Sequence, residues 1–85
     1  MKIQFTVEAW KDFEWFLDND KQIVKRIREL FKDILRHSQE GIGKPERLKF
    51  QLAGCWSRRI TKEHRLVYQI EKDAIIVISC RYHYE

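Results

Sequence analysis

Eighty-five residues suffice for one domain and are too few for two, so a single unit spanning residues 1–85 is expected. Hydrophobic residues make up 44% of the chain, with three Trp, five Phe and three Tyr, which excludes a disordered segment despite 35% charged residues. Lys and Arg outnumber Asp and Glu by 17 to 13, a net charge of +4 that suits a polyanionic partner and equally suits a merely soluble surface.

From Lys2 to Val7 the apolar residues Ile3, Phe5 and Val7 alternate with polar ones, the mark of a short half-buried strand. Thr6 and Glu8 supply a capping hydroxyl and a carboxylate for a helix predicted from Val7 to Leu17, with Trp10, Phe13 and Leu17 three and four residues apart. Asn19 and Asp20 break it. Asp20 then caps a longer helix reaching to about Ser38. Its positions Ile23, Val24, Ile27, Leu30, Phe31, Ile34 and Leu35 form one apolar stripe, with Lys25, Arg28, Lys32 and Arg36 on the other side.

The stretch from Glu40 to Pro45 holds two of the three glycines and the only proline, and reads as the principal loop. Beyond it the period falls to two. Strands are predicted over Arg47–Gln51, Trp56–Thr61, Arg65–Ile70 and Ala74–Tyr82, with Gly54, residues 61–63 and Lys72-Asp73 as turns. Such short connections join antiparallel neighbours. The order is therefore β-α-α-β-β-β-β, an α+β fold with two N-terminal helices packed on one face of a mainly antiparallel sheet.

The other face is left for a ligand. Along the strands, Leu66, Tyr68 and Ile70 share one side and Arg65 and Val67 the other; Ser57 and Arg59 alternate with Trp56, Arg58 and Ile60. In the last strand Ser79, Arg81 and His83 share a parity. If the connections hold odd numbers of residues, Arg59, Arg65, Arg81 and His83 meet on the open face; two-residue turns scatter them. Arginines, a histidine and flanking tyrosines are what RNA handling requires, because guanidinium groups hold phosphate and rings stack on bases. The same pattern also describes a solvated basic strand with a frayed end.

Other chemistries fit less well. Cys55 and Cys80 are isolated, which points to reduced thiols and a reducing compartment. The first residues lack the pattern of a secretory signal, and no stretch nears the roughly 20 apolar residues of a membrane span. A cytoplasmic location without membrane attachment is expected. Three histidines and two cysteines lack zinc-ligand spacing, Gly41-Ile42-Gly43-Lys44 has the wrong spacing for a phosphate loop, and there is no nucleophile elbow. No cofactor is called for.

Four segments together carry a resemblance: Gly43-Lys-Pro-Glu-Arg-Leu-Lys49, Leu52-Ala-Gly-Cys-Trp-Ser-Arg-Arg-Ile-Thr61, Glu63-His-Arg-Leu-Val-Tyr68 and Cys80-Arg-Tyr-His-Tyr84. In this order and spacing they resemble the YoeB/Txe toxins of bacterial toxin–antitoxin pairs, within the RelE-like superfamily, and the helical half is similar in length and pattern. The resemblance implies a RelE-like, microbial-ribonuclease-like fold and metal-independent cleavage of messenger RNA in the ribosomal A site. It implies that Glu46 takes the proton from a ribose 2′-hydroxyl, that Arg65 clamps the charged phosphorane, and that His83 protonates the departing 5′-oxygen. Lys49 and Arg59 resemble the family's phosphate contacts and Tyr84 its base-positioning residue; Lys44 and Arg81 complete the expected RNA-binding set. Glu85, after the usual terminal Tyr, adds a negative charge beside the presumed acid. The resemblance also implies a cognate antitoxin of the YefM/Axe kind and a homodimer, for which Trp10 and Trp15 are available. The alternative is a non-enzymatic inhibitor on the same scaffold, binding ribosome or gyrase without cutting RNA.

Overall fold

A computed structural model describes residues 1–82. In chain order it contains β1 (Lys2–Phe5), α1 (Val7–Asn19), α2 (Lys21–Arg36), β2 (Glu46–Arg47), a single 3-10 turn (Phe50–Leu52), β3 (Cys55–Arg59), β4 (Arg65–Ile70) and β5 (Ala74–Ser79). The strands lie side by side as β1-β5-β4-β3-β2; β1 runs parallel to β5 and every other pair is antiparallel. The α+β order and the mainly antiparallel sheet are those expected from the sequence.

Two capping residues set the joints. Thr6 ends β1 and opens α1: its hydroxyl accepts from the Ala9 N–H at 3.1 Å and donates to the Ile78 carbonyl at 3.2 Å. Val7 is therefore helical rather than the end of the strand. Asp20 serves both helices at once. Its N–H donates to the Phe16 carbonyl, closing α1, and its carboxylate accepts from the Ile23 N–H at 3.2 Å, opening α2. The two helices thus meet at one extended residue, and α1 runs two residues past the expected Leu17.

The helices lay Phe16, Ile27 and Leu30 against Leu66, Tyr68 and Ile75 of the sheet, all fully buried. Each such side chain stabilises the fold by ~1.5–3 kcal/mol through the apolar surface it hides. A second, smaller cluster of Leu48, Cys55 and Val67 sits on the opposite face, joined by Leu52 and Ile78.

That second cluster explains the largest departure from the sequence reading. The strand expected over Arg47–Gln51 shrinks to Glu46–Arg47, because at Phe50 the chain enters a left-handed conformation (φ 58) and coils into the 3-10 turn. The turn folds Leu52 back beside Leu48, which a straight strand would carry past the sheet. Phe50 itself is left 87% exposed.

Helix α2 ends at Arg36, two residues short of expectation, where the loop wraps a buried arginine. Arg58 shares its side of β3 with Trp56, and its side chain is fully buried. All five guanidinium N–H groups are used. Nε donates to the Tyr68 hydroxyl (3.1 Å), one terminal nitrogen to the Asp33 carboxylate and the Ile42 carbonyl, the other to the His37 and Glu40 carbonyls. The Tyr68 hydroxyl in turn donates to the Ser38 carbonyl at 2.8 Å. Two glycines let the loop come this close. A Cβ on Gly41 would lie 1.9 Å from the Asp33 carboxylate, and one on Gly43 would crowd Leu30 and Arg58, both at positive φ.

Removing such a buried guanidinium strands a half-buried carboxylate, a hydroxyl and three carbonyls and leaves a void in the core, so Arg58→Ala should cost about 3–5 kcal/mol in urea unfolding at pH 7. Arg58→Lys should recover only part of that, since an ammonium offers three donors in place of five. The hydrogen bond from Arg58 holds the Asp33 carboxyl below its ordinary value of 3.8. Its contribution is therefore present above that pH and lost as the pH falls through the lower folded value. Urea midpoints measured from neutral to strongly acidic pH should drop less steeply at the acid end for Asp33→Asn than for the wild type.

Candidate functional site

The register of the sheet assembles a polar patch on the face away from the helices. Glu46 stands opposite Ser57, Ser57 opposite Val67, and Arg59 opposite Arg65. Directly paired residues point to the same side, so Glu46, Ser57, Arg59 and Arg65 share this open face. Adjacent strands are ~4.8 Å apart and same-face residues ~6.8 Å apart along a strand, which puts Glu46 and Arg59 on a diagonal of ~7–8 Å with Arg65 one strand further. The three residues thus stand beside one another across three neighbouring strands. The connection from β3 to β4 spans residues 60–64, an odd number, and this is why the two arginines coincide.

The patch is graded. Towards one end it rests on the apolar cluster of Leu48, Cys55 and Val67; at the other, Glu46 and Arg59 are exposed and Arg65 is half-buried. A depression of about 310 Å³ runs along residues 46–52 and brings Glu46 and Lys49 to one wall. A larger groove of about 460 Å³ lies along Leu17, Val24 and the basic side of α2, away from these residues.

Arg65 is the most firmly held of the set. One terminal nitrogen donates to the Thr61 carbonyl at 3.0 Å, with the His64 and Lys62 carbonyls at 3.3 and 3.4 Å. Its other guanidinium nitrogens make no hydrogen bond among the described residues, so the fork is oriented by one corner and open at the rest. Its backbone N–H donates to the Tyr82 carbonyl at 3.1 Å.

Lys44 and Lys49 flank the patch, both exposed. The Gly43 carbonyl accepts from the Arg59 N–H at 2.7 Å, which ties the Lys44 backbone (φ 51) to the end of β3. Arg81 is not brought to this group. Val67 pairs with Ser79 while Tyr68 pairs with Val77, so Ile78 is an extra residue and the alternation shifts there. Cys80 turns into the main core, and the Arg81 guanidinium lies 3.8 Å over the Trp15 ring of α1. The parity count that grouped Arg81 with Arg59 and Arg65 fails because β5 ends at Ser79 and the chain turns out of the ladder over residues 80–82. His83 and Tyr84 lie outside the described residues.

Neither thiol is placed for nucleophilic work: burial raises Cys55, and Cys80 is pushed up to about 12 by burial and then by the nearby Asp12. Asp12 is itself raised, by burial above all, against the opposing pull of Arg81. Among the described residues no three His, Cys, Asp or Glu side chains converge as metal ligands would. Two residues of consequence carried no role in the sequence reading, Arg58 and His64. Both sit at inward parity, Arg58 with Trp56 and Ile60, His64 with Leu66 and Tyr68; a polar residue on a core face was the available signal.

The family model describing the YoeB-like toxin of bacterial type II toxin-antitoxin systems matches residues 5–84. Toxin YoeB of Synechocystis is 55% identical over 85 residues, covering all of this chain and 99% of that protein. Toxin YoeB of Escherichia coli K12 is 52% identical over 84 residues, 99% of this chain and 100% of that one. Among solved structures, a YoeB/ParE toxin from Agrobacterium tumefaciens superimposes with a TM-score of 0.96 at 43% identity, covering 99% and 100% of the two chains. The toxin of a heterotetrameric YoeB-YefM complex from Staphylococcus aureus gives 0.91 at 52% identity over 96% and 95%. A YoeB dimer from the same organism gives 0.93 at 50% identity over 99% and 98%. The likeness runs through the whole length, and the chain belongs to the YoeB-like toxins of bacterial type II toxin–antitoxin systems.

Proposed function

We propose that this toxin is a metal-independent endoribonuclease that cuts messenger RNA in the ribosomal A site and so halts translation in the cytoplasm. The observation that carries the reading is the shared register of Glu46, Arg59 and Arg65 on one open face. That register supports the reading because it sets a carboxylate residue and two arginines side by side on the face away from the helices.

The Glu46 carboxylate takes the proton of a ribose 2′-hydroxyl, and the oxygen so freed attacks the adjacent phosphorus. As that bond forms, the bond from phosphorus to the 5′-oxygen breaks, and His83 delivers its proton to the leaving oxygen. The products are a 2′,3′-cyclic phosphate and a 5′-hydroxyl. Arg65 stabilises the extra charge on the pentacoordinate phosphorus, with Arg59, Lys49 and Lys44 on neighbouring phosphates and Tyr84 positioning a base. Positive charge fixed in the sheet supplies the electrostatic stabilisation that such a transition state needs. Arg81, stacked on Trp15, stays out of this set.

Two partners follow from the relatives. The Staphylococcus aureus toxin is found with YefM and as a dimer. We propose a YefM/Axe-like antitoxin that covers the basic patch here, and a homodimer. An acidic segment folding onto a chain of net charge +4 is electrostatically favoured.

Toeprinting on a ribosome–messenger complex should show a new cut within the A-site codon. Glu46→Ala, Arg65→Ala and His83→Ala should each slow it by about 10²-fold or more while remaining folded. Intact message despite demonstrated ribosome binding would make the protein a non-enzymatic inhibitor; a cut slowed by sulfur at a non-bridging oxygen of the scissile phosphate and restored by a thiophilic cation such as Mn²⁺ would refute the metal-free mechanism.

A further inference from the structure

Among the described residues Phe50 is the most exposed large apolar side chain, at 87%, and its backbone is held where phenylalanine is seldom found. Its φ of 58 lies in the left-handed region, in which the Cβ of an L-residue crowds its own backbone and glycine is the usual occupant. Neither feature favours folding, since the ring stays in water and the backbone is strained. The neighbours explain how the arrangement persists. Leu48 and Leu52, on either side, join the apolar cluster of the open face. Between them the turn is closed by the Leu52 N–H donating to the Lys49 carbonyl at 3.2 Å and the Ala53 N–H to the Phe50 carbonyl at 3.0 Å. Two apolar anchors and two hydrogen bonds thus hold one aromatic ring outward.

The surroundings say what the ring is turned towards. Phe50 lines the depression of about 310 Å³ that Glu46, Lys49 and Gln51 also line. That volume is at the lower end of the roughly 300–1,000 Å³ of small-ligand clefts, which suits one nucleoside-sized group. Glu46 and Phe50 are four residues apart, so even a fully extended chain would separate them by no more than about 13 Å. A protein partner fits the spot poorly. Stable protein interfaces cover roughly 800 Å² on each side around an apolar centre, whereas the residues next to this ring, Lys49 and Gln51, are exposed and polar. One open ring face beside an ammonium group is the pairing that a nucleobase and its phosphate require.

We propose that Phe50 is a base-stacking platform: its ring receives the base of a nucleotide adjoining the phosphate that Glu46 and Arg65 address, and Lys49 beside it meets the RNA backbone. The proposal rests on the nuclease reading above and extends it from the phosphate to the base. Stacking uses no hydrogen bond to a base edge, so the ring accepts every base and holds the larger face of a purine better. Because the backbone already fixes the ring outward, little ordering is left for RNA binding to impose.

Removing the ring and the base separately provides the test. Single-turnover cleavage on ribosome–messenger complexes, at sub-saturating protein, should be compared for wild type, Phe50→Ala, Phe50→Leu and Phe50→Tyr. Phe50→Ala should cut about 5–100-fold more slowly, the equivalent of one stacked base. Phe50→Tyr should stay within about 3-fold of wild type, and Phe50→Leu, apolar but without a flat π face, should fall with alanine. The ring lies in water, so the urea midpoint of Phe50→Ala should match that of wild type. Messengers abasic at each nucleotide of the A-site codon in turn then remove the base. At one position the two proteins should agree within about 2-fold, because neither can stack. Where an abasic message resists cutting, 2-aminopurine at that position, bound by Glu46→Gln protein, carries the same comparison: its fluorescence should be quenched with Phe50 in place and brighter when Phe50→Ala is added. Cleavage unchanged by Phe50→Ala, equal slowing on intact and abasic messengers, or 2-aminopurine equally bright with and without the ring would overturn the proposal. Wild-type protein that leaves every message intact would instead sink the nuclease reading.

Discussion

The Arg58 guanidinium is the interaction on which the rest of the molecule is built. It reaches from the middle of β3 through the core and meets the last turns of α2, the loop after it and the Tyr68 hydroxyl of β4. An ion this well buried is costly to desolvate, and only complete pairing makes it tolerable. Completeness is what the loop provides: the carbonyls of residues 37, 40 and 42 are turned inward to meet the remaining N–H groups. A loop that would otherwise sample many conformations has one that satisfies the arginine. Its far end delivers residues 43–46 to the edge of β3, and so sets the position of Glu46.

The sheet then works on its two faces by different rules. One face is a conventional apolar interface with the helices. The other carries a small apolar floor beside an exposed arrangement of carboxylate and guanidinium groups. The floor fixes the strands that carry the charged residues. The 3-10 turn after β2 belongs to this economy. By folding Leu52 under Leu48 it completes the floor and leaves Lys49 and Phe50 facing outward.

Much of this was legible in the sequence. The helix starts followed from Thr6 and Asp20, whose side chains compete for backbone N–H groups in the way that starts helices. The apolar stripe of α2 set its buried side. Strand parity correctly grouped Arg59 with Arg65, since the link between β3 and β4 holds five residues. It misplaced Arg81 because β5 ends at Ser79 and the chain then turns out of the ladder. It missed the coil after β2, where a strand-like run of residues yields to the pull of Leu52 on a distant cluster. The roles of Arg58 and His64 were written only as polar residues at inward positions, and no local rule says which partners such residues find.

The sequence by itself determined the element order, the buried faces, the excess of positive charge and, through four spaced motifs, the family. Those are properties of residues close together in the chain, where period, caps and turn chemistry act directly. Only the tertiary structure decided that Glu46 stands diagonal to Arg59, that Arg81 stacks on α1, and that His64 grips Tyr82 eighteen residues away. Those depend on register and on the satisfaction of buried donors, which are settled jointly by segments that meet only when the sheet is assembled.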